Sequence, residues 1–205
     1  MKHTHTILAF SLLSTLAISS AALALELGEK IPESIQNLSL KNAQGADQTI
    51  KGLSGSKGKL LVITCNTCPY ARAWEERLVA IGNEYQGKGI AVVAINSNDP
   101  NREGEAFGNM QNRVKAKNYQ FPYLADSSSA VARALNATKT PEVFLFDAQD
   151  KLIYHGAIDD NSDNAKKVKK HYLREALDAL LAGKTLTANK VDAVGCGIKF
   201  APTKK

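Results

Sequence analysis

Two kinds of hydrophobic pattern alternate along this chain. Lys59 to Thr64 and Gly89 to Ile95 are unbroken apolar runs of strand length. Such runs suit strands covered on both faces. Between and after them, apolar residues recur at helical spacing. Tyr70, Trp74, Leu78, Ile81 and Tyr85 form one stripe, on a helix that starts near Pro69. Proline fits a first turn because its missing N–H has no partner to lose there. Phe107, Met110 and Val114 mark a second helix within 103–117. Val168, Tyr172, Leu173, Leu177, Leu180 and Leu181 mark a last one over 165–182, stopped by Gly183.

Shorter elements complete the pattern. Residues 34–40 and 48–51 read as early strands, followed by a loop carrying Gly52, Gly55 and Gly58. Phe121 to Leu124 reads as a brief strand, and Asp126 as the N-cap of a helix reaching Asn136. Val143 to Phe146 and Lys151 to Ala157 form a hairpin around a four-residue polar loop. The order β-β-β-α-β-α-β-α-β-β-α predicts an α/β sandwich with a central mixed sheet and helices on both faces. The closing hairpin excludes a wholly parallel sheet.

The first residues have a different character. Lys2 precedes an apolar stretch from Ile7 to Ile18, and Ala22-Leu23-Ala24 supplies a small-x-small cleavage pattern. Residues 1–24 therefore read as a secretory signal peptide. The expected layout is a folded domain over 25–190 and a C-terminal tail over 191–205 carrying Cys196. The expected location is periplasmic or secreted, with membrane association only if the signal stays uncleaved.

Composition narrows the chemistry. Across 205 residues, 44% hydrophobic and 22% charged positions exclude disorder, collagen and coiled coil. A net charge of +6, scattered along the chain, is no nucleic-acid footprint. The chain has three cysteines. Cys65-Asn66-Thr67-Cys68-Pro69 lies where a buried strand turns into a helix. Helix N-termini carry unpaired N–H groups and a partial positive charge, which favour a thiolate. Two intervening residues let one sulfur reach the other, so a reversible dithiol/disulfide switch follows. Zinc lacks a second ligand pair, and haem attachment lacks the histidine that Pro69 replaces. A structural disulfide would close too small a loop to constrain much.

Cys196, between Gly195 and Gly197, has no obligatory partner. It is a free or packed thiol, a bridge to another chain, or an exchange partner of the pair. Asp159, Asn161 and Asp163 have alternating calcium-loop spacing, but Asn164 and Lys170 stand where glycine and a bidentate glutamate belong. Lys166, Lys167, Lys169 and Lys170 read as a solvated helix face.

The pair, followed by Thr140-Pro141 before a strand, a hairpin and a last helix, resembles the thioredoxin fold. That resemblance implies a cis peptide at Pro141 beside the dithiol. Residues 97–124 resemble the additional helix–strand element of peroxiredoxins and exported thioredoxin-like reductases. Six strings spread across the chain resemble the peroxiredoxin-like group related to alkyl hydroperoxide reductase and thiol-specific antioxidant proteins. They are Cys-Asn-Thr-Cys-Pro-Tyr (65–70), Val-Ala-Ile-Asn-Ser-Asn-Asp (93–99), Phe-Pro-Tyr-Leu-Ala-Asp (121–126), Thr-Pro-Glu-Val-Phe-Leu-Phe-Asp (140–147), Tyr-His-Gly-Ala-Ile-Asp-Asp-Asn (154–161) and Gly-Cys-Gly-Ile-Lys-Phe (195–200).

Peroxiredoxins carry Pro and Thr seven and three residues before the peroxidatic cysteine. With Cys68 in that role, Leu61 and Cys65 occupy those places. The hydroxyl that orients peroxide is missing there, which favours disulfide exchange over peroxide reduction.

The sequence therefore points to a thiol–disulfide oxidoreductase. Cys65 is expected to attack and Cys68 to resolve, with Cys196 a third candidate thiol. Asn66, Thr67, Thr140 and Pro141 are expected to border a substrate groove. Implied partners are a protein disulfide or dithiol and a redox partner protein, without cofactor, metal or nucleic acid. A thiol peroxidase and a non-catalytic metal-delivery module are the alternatives.

Overall fold

The computed structural model describes residues 25–186 and 189–203. The expected signal peptide at 1–24 lies outside the described residues. The chain begins with α1 (Glu33–Gln36), β1 (Leu40–Asn42) and β2 (Gly45–Gln48). The first expected strand, 34–40, is thus mostly a helical turn opened by Pro32, and the second lies earlier than 48–51. In α1 only Ile35 is buried, and a single anchor shows no period from which to tell helix from strand.

β3 (Gly58–Thr64), α2 (Pro69–Gln86), β4 (Ile90–Asn96), α3 (Phe107–Lys117) and β5 (Tyr123–Ala125) follow. Then come α4 (Ala130–Ala134), β6 (Lys139–Thr140), β7 (Glu142–Asp147) and β8 (Leu152–Gly156). A 3-10 turn (Ala165–Lys167), α5 (Tyr172–Leu181), β9 (Lys190–Val191) and β10 (Cys196–Gly197) close the chain. The main sheet has the order β2-β1-β5-β4-β3-β7-β8-β9. β3 runs parallel to β4 and antiparallel to β7, so the sheet is mixed as expected.

Strand periodicity divides the core in two. Leu60 and Val62 of β3 face the side covered by α2, α3 and α5, with Trp74, Leu78, Met110, Val114 and Leu177. Leu61 and Ile63 face the side covered by α1 and α4, with Ile35, Val131 and Leu135. β4 and β7 alternate in the same way. Both sheet faces are therefore apolar, which is why β3 and β4 show no polar alternation. The helix–strand element expected over 97–124 is α3 with β5, which adds to the β4 edge in parallel.

Three local expectations change. Tyr70 is 40% exposed and stacks on Trp74 with ring centroids 6.3 Å apart, so the buried stripe starts at Trp74. Asp126 is not at the N-cap position, which Ser129 holds. Its carboxylate nevertheless accepts the Ala132 N–H, so Asp126 secures α4 from farther upstream. The final helix is broken before α5. Side chains of Asp160, Asn161 and Asn164 accept backbone N–H groups of Lys169, Asp163 and Lys166. These local bonds offer the backbone an alternative to helix.

The calcium-like segment serves the core. Asp159 accepts the indole N–H of Trp74 at 2.8 Å and pairs with Arg77 at 2.6 Å. It also accepts the Asn161 N–H at 3.0 Å, which folds the loop against α2. Asp159→Ala would leave the buried indole N–H and the Arg77 guanidinium short of an acceptor. We expect a loss of about 2–4 kcal/mol. Urea unfolding followed by Trp74 fluorescence measures it, and an unchanged midpoint would show the lock to be idle.

Candidate active site

β3 delivers Cys65 to its C-terminal end, and the next three residues bend into α2. Cys68 is the N-cap of α2, with Pro69 directly after it. Both cysteines are buried, at 3% exposure for Cys65 and 5% for Cys68. They meet the residue before Pro141. The Cys65 thiol donates to Thr140 Oγ1 at 3.4 Å, and Cys68 Sγ lies 3.1 Å from the Thr140 carbonyl. The Thr140–Pro141 peptide is cis, as the resemblance implied.

The bend is held by an acidic residue that the sequence reading passed over. Glu105 is 1% exposed. Its carboxylate accepts the backbone N–H groups of Asn66 at 2.9 Å and Thr67 at 3.2 Å. It also accepts the Thr67 hydroxyl at 2.6 Å and the side-chain amides of Asn96 and Asn98, both at 3.0 Å. Burial opposes its ionisation, but these donors outweigh burial and hold its pKa below the usual carboxylate value. The motif Asn96-Ser97-Asn98, followed by a glutamate within a turn-rich stretch, was the available signal. Backbone N–H groups without partners at the start of a helix invite such a carboxylate.

Asn66 and Thr67 divide accordingly. Asn66, expected to border a groove, is mostly buried, yet with Thr67 it lines a cavity against Arg72, Gly104 and Arg113. Its side-chain oxygen accepts the Tyr123 hydroxyl at 2.9 Å and its amide donates to the Gly104 carbonyl at 3.0 Å. Thr67 is exposed. Thr140 and Pro141 are buried, because β10 runs along them.

The two sulfurs hold protons unequally. Hydrogen bonding from Cys65, then from Cys196, and the Ala71 N–H at the start of α2 overcome burial and bring the Cys68 pKa down to about 4. When Cys68 carries its proton, the Thr140 carbonyl can accept it. When Cys68 is ionised, these donors hold the anion. Cys65 moves the other way, raised by its bond to Cys68, by burial and by the nearby Glu105 charge. These directions favour the anion at Cys68, whereas the sequence points to Cys65 as the attacking sulfur. The physical reason is position: Cys68 caps the helix, whereas Cys65 sits behind the loop amides that Glu105 occupies.

Cys196 joins the pair. β10 pairs antiparallel with β6, with Cys196 opposite Thr140 and Gly197 opposite Lys139. Cys196 packs against the cluster of Cys65, Cys68 and Ala71 and is more exposed than either of its neighbours. The tail is no loose end. The Ile198 N–H donates to the Thr138 carbonyl, the Lys199 N–H to Asn98, and the Asp99 N–H to the Lys199 carbonyl. Arg133 donates to the Ala201 carbonyl at 2.7 Å, with its guanidinium 4.5 Å from the Phe200 ring centre. The tail expected over 191–205 thus closes over the site as a strap. A Cβ at Gly195 would collide with the Thr140 carbonyl, so only glycine lets the strap lie this close.

With this geometry in view, the similarity to known proteins can be placed. Residues 28–155 match the AhpC/TSA family. The chain belongs to the AhpC/TSA family. Two solved structures are similar over most of its length. A hypothetical protein from Sinorhizobium meliloti 1021 is 37% identical, with TM-score 0.79, covering 88% of this chain and 98% of its own. An uncharacterized conserved protein from Geobacillus kaustophilus is 32% identical, with TM-score 0.80, covering 88% and 95%. A thioredoxin-like protein solved in its oxidized form is 19% identical, with TM-score 0.60, covering 78% and 99%, which shows the shared fold. No curated protein matches the chain. This AhpC/TSA-family protein is thus a thioredoxin-fold member of a thiol-based redox family.

Glu105→Gln keeps the size of the side chain and removes its charge. We expect a loss of about 1–3 kcal/mol from the weakened loop bonds. We also expect a lower Cys65 pKa, because the negative charge that raises it is gone. Urea unfolding and the pH profile of Cys65 alkylation measure the two effects. An unchanged Cys65 profile would show that Glu105 acts on the loop alone.

Proposed function

We propose that the protein is an exported thiol–disulfide oxidoreductase that uses the Cys65–Cys68 dithiol on protein disulfides or dithiols. The observation that carries this reading is the meeting of Cys65 and Cys68 at the start of α2, both against the residue that precedes a cis-proline. Cys68 is ready as a thiolate at neutral pH, with a pKa brought down to about 4. Cys65 keeps its proton beside it.

In the reducing direction the Cys68 thiolate attacks one sulfur of a substrate disulfide. A Cys68–substrate bond forms, and the other substrate sulfur leaves as a thiolate that takes up a proton. Cys65 then gives up its proton and attacks Cys68. The Cys65–Cys68 disulfide forms and the second substrate sulfur leaves reduced. Two electrons have passed to the substrate. A redox partner protein restores the dithiol, and the reverse sequence oxidises a substrate dithiol.

Peroxide reduction is the second reading, supported by family membership. Cys68 would be oxidised to a sulfenic acid and resolved by a neighbouring cysteine. The first reading is preferred because Cys65 stands where the peroxide-orienting threonine belongs. Thr140, which does bring a hydroxyl, is engaged with Cys65.

Insulin-disulfide reduction with dithiothreitol as electron source tests the reading. Wild-type protein is expected to accelerate it and Cys68→Ser to abolish it. Cys65→Ser is expected to stall with substrate bound to Cys68. Fast peroxide consumption with a trapped Cys68 sulfenic acid, and no insulin reduction, would overturn it in favour of the peroxidase. Thiolate absorbance should persist across neutral pH in wild type and vanish in Cys68→Ser. Export rests on residues 1–24, and N-terminal sequencing of protein recovered from the exported fraction is expected to begin at Leu25.

A further inference from the structure

We propose that Cys196 is an internal exchange partner of Cys68, held by β10 on the edge that a substrate strand would occupy, so that a Cys68–Cys196 disulfide is a working intermediate. This rests on the oxidoreductase reading above and adds a third thiol to it.

Three independent observations converge. The first is topology. An open edge of β6 beside the dithiol is where an extended polypeptide can add a strand. Here the chain's own Cys196-Gly197 takes that edge in antiparallel register, with the cysteine directly opposite Thr140. A thiol therefore stands where a bound substrate strand would present its sulfur.

The second is contact. Cys68 is the middle sulfur of the three, with both Cys65 and Cys196 as neighbours. A central sulfur flanked by two others is the arrangement that internal exchange needs, since either neighbour can attack it.

The third is anchoring. The strap is fixed by backbone bonds at Ile198, Lys199 and Ala201 and by burial of Ile198 and Ala201. Gly195 lets it pass over the Thr140 carbonyl. A merely free thiol needs none of this.

The step balances without an added reagent. Starting from the Cys65–Cys68 disulfide, Cys196 attacks Cys68. The Cys68–Cys196 bond forms and the Cys65–Cys68 bond breaks. The proton of Cys196 ends on Cys65, which favours the protonated form. No electron leaves the protein. The oxidising equivalent moves from a buried pair to a pair that includes the more exposed sulfur. In that position it can meet a redox partner without the partner reaching Cys65.

The test uses the full chain equilibrated with mixtures of reduced and oxidised glutathione, quenched by alkylation and mapped by peptide mass spectrometry. In Cys65→Ser, a Cys68–Cys196 linkage should outweigh a Cys68–glutathione adduct by about tenfold at millimolar glutathione, because the strap holds Cys196 at high effective concentration. Gly195→Ala, which crowds the strap off Thr140, should reduce that ratio severalfold. Wild type, oxidised in steps, should show the same linkage beside Cys65–Cys68, and this arm does not depend on how any variant folds.

Glutathione on Cys68 with Cys196 still alkylatable would overturn the inference. So would a Cys196–Cys196 linkage between chains in its place. The parent reading is scored separately in Cys196→Ser, which must still form Cys65–Cys68. If that pair forms while Cys68–Cys196 never does, only the relay is lost. If Cys65–Cys68 fails as well, the oxidoreductase reading falls with it.

Discussion

One buried carboxylate organises this site. Glu105 collects two loop N–H groups, one hydroxyl and two side-chain amides from two separate stretches of chain. Without it, the backbone N–H of Asn66 would be buried with no acceptor in the described contacts, and that of Thr67 would lose its partner. An orphaned buried donor costs about 1–3 kcal/mol. The carboxylate therefore fixes the bend that sets Cys65 behind Cys68. Asn98 extends the same network to the strap, since its side-chain oxygen accepts the Lys199 N–H at 2.8 Å. The loop that carries the dithiol and the strap that covers it are thus joined through one anion.

That anion also explains why the two sulfurs differ. A helix N-terminus offers unpaired N–H groups to whatever negative charge is nearest. Glu105 takes those of the loop, and Cys68 takes what remains at the first turn of α2. Cys65 is left with a carboxylate nearby and little compensation, so it holds its proton. The division of amides between a carboxylate and a sulfur favours the anion at Cys68 over Cys65. Thr140 adds polar atoms on both sides, with its hydroxyl toward Cys65 and its carbonyl toward Cys68.

Much of the architecture was legible in the residues themselves. The unbroken runs in β3 and β4 and the stripes of α2 and α3 are signals of burial on one face or two, and burial is what the core then shows. The dithiol was legible because spacing and a strand–helix junction are local properties. Three features were not. α1 has a single buried anchor, which carries no period. The break before α5 comes from Asx side chains competing for backbone N–H groups over a stretch that otherwise looks helical. Glu105 looks like one acidic residue among many, since its partners at Asn66 and Thr67 are thirty-nine and thirty-eight residues away. The inward bond of Asn66 to Tyr123 was illegible for the same reason, since it spans fifty-seven residues. Local pattern predicts local structure, while a buried polar network is a product of the tertiary fold.

The strap follows the same logic. A short β6 beside the sulfurs leaves unpaired backbone groups at the most reactive point of the molecule. Edges of this kind are either covered or become pairing sites for other chains. This chain covers its edge with Cys196-Gly197 rather than with a charged or proline-rich segment. A cover made of inert residues would protect the dithiol by excluding partners altogether. A cover carrying a thiol in register with Thr140 shields the same edge and keeps sulfur chemistry available at its surface. Protection and access would otherwise conflict, because Cys65 and Cys68 are both buried. A buried thiolate gains selectivity by excluding bulky oxidants, yet disulfide exchange requires an attacking sulfur to reach it. Placing that sulfur on the strap reconciles the two demands within a single fold.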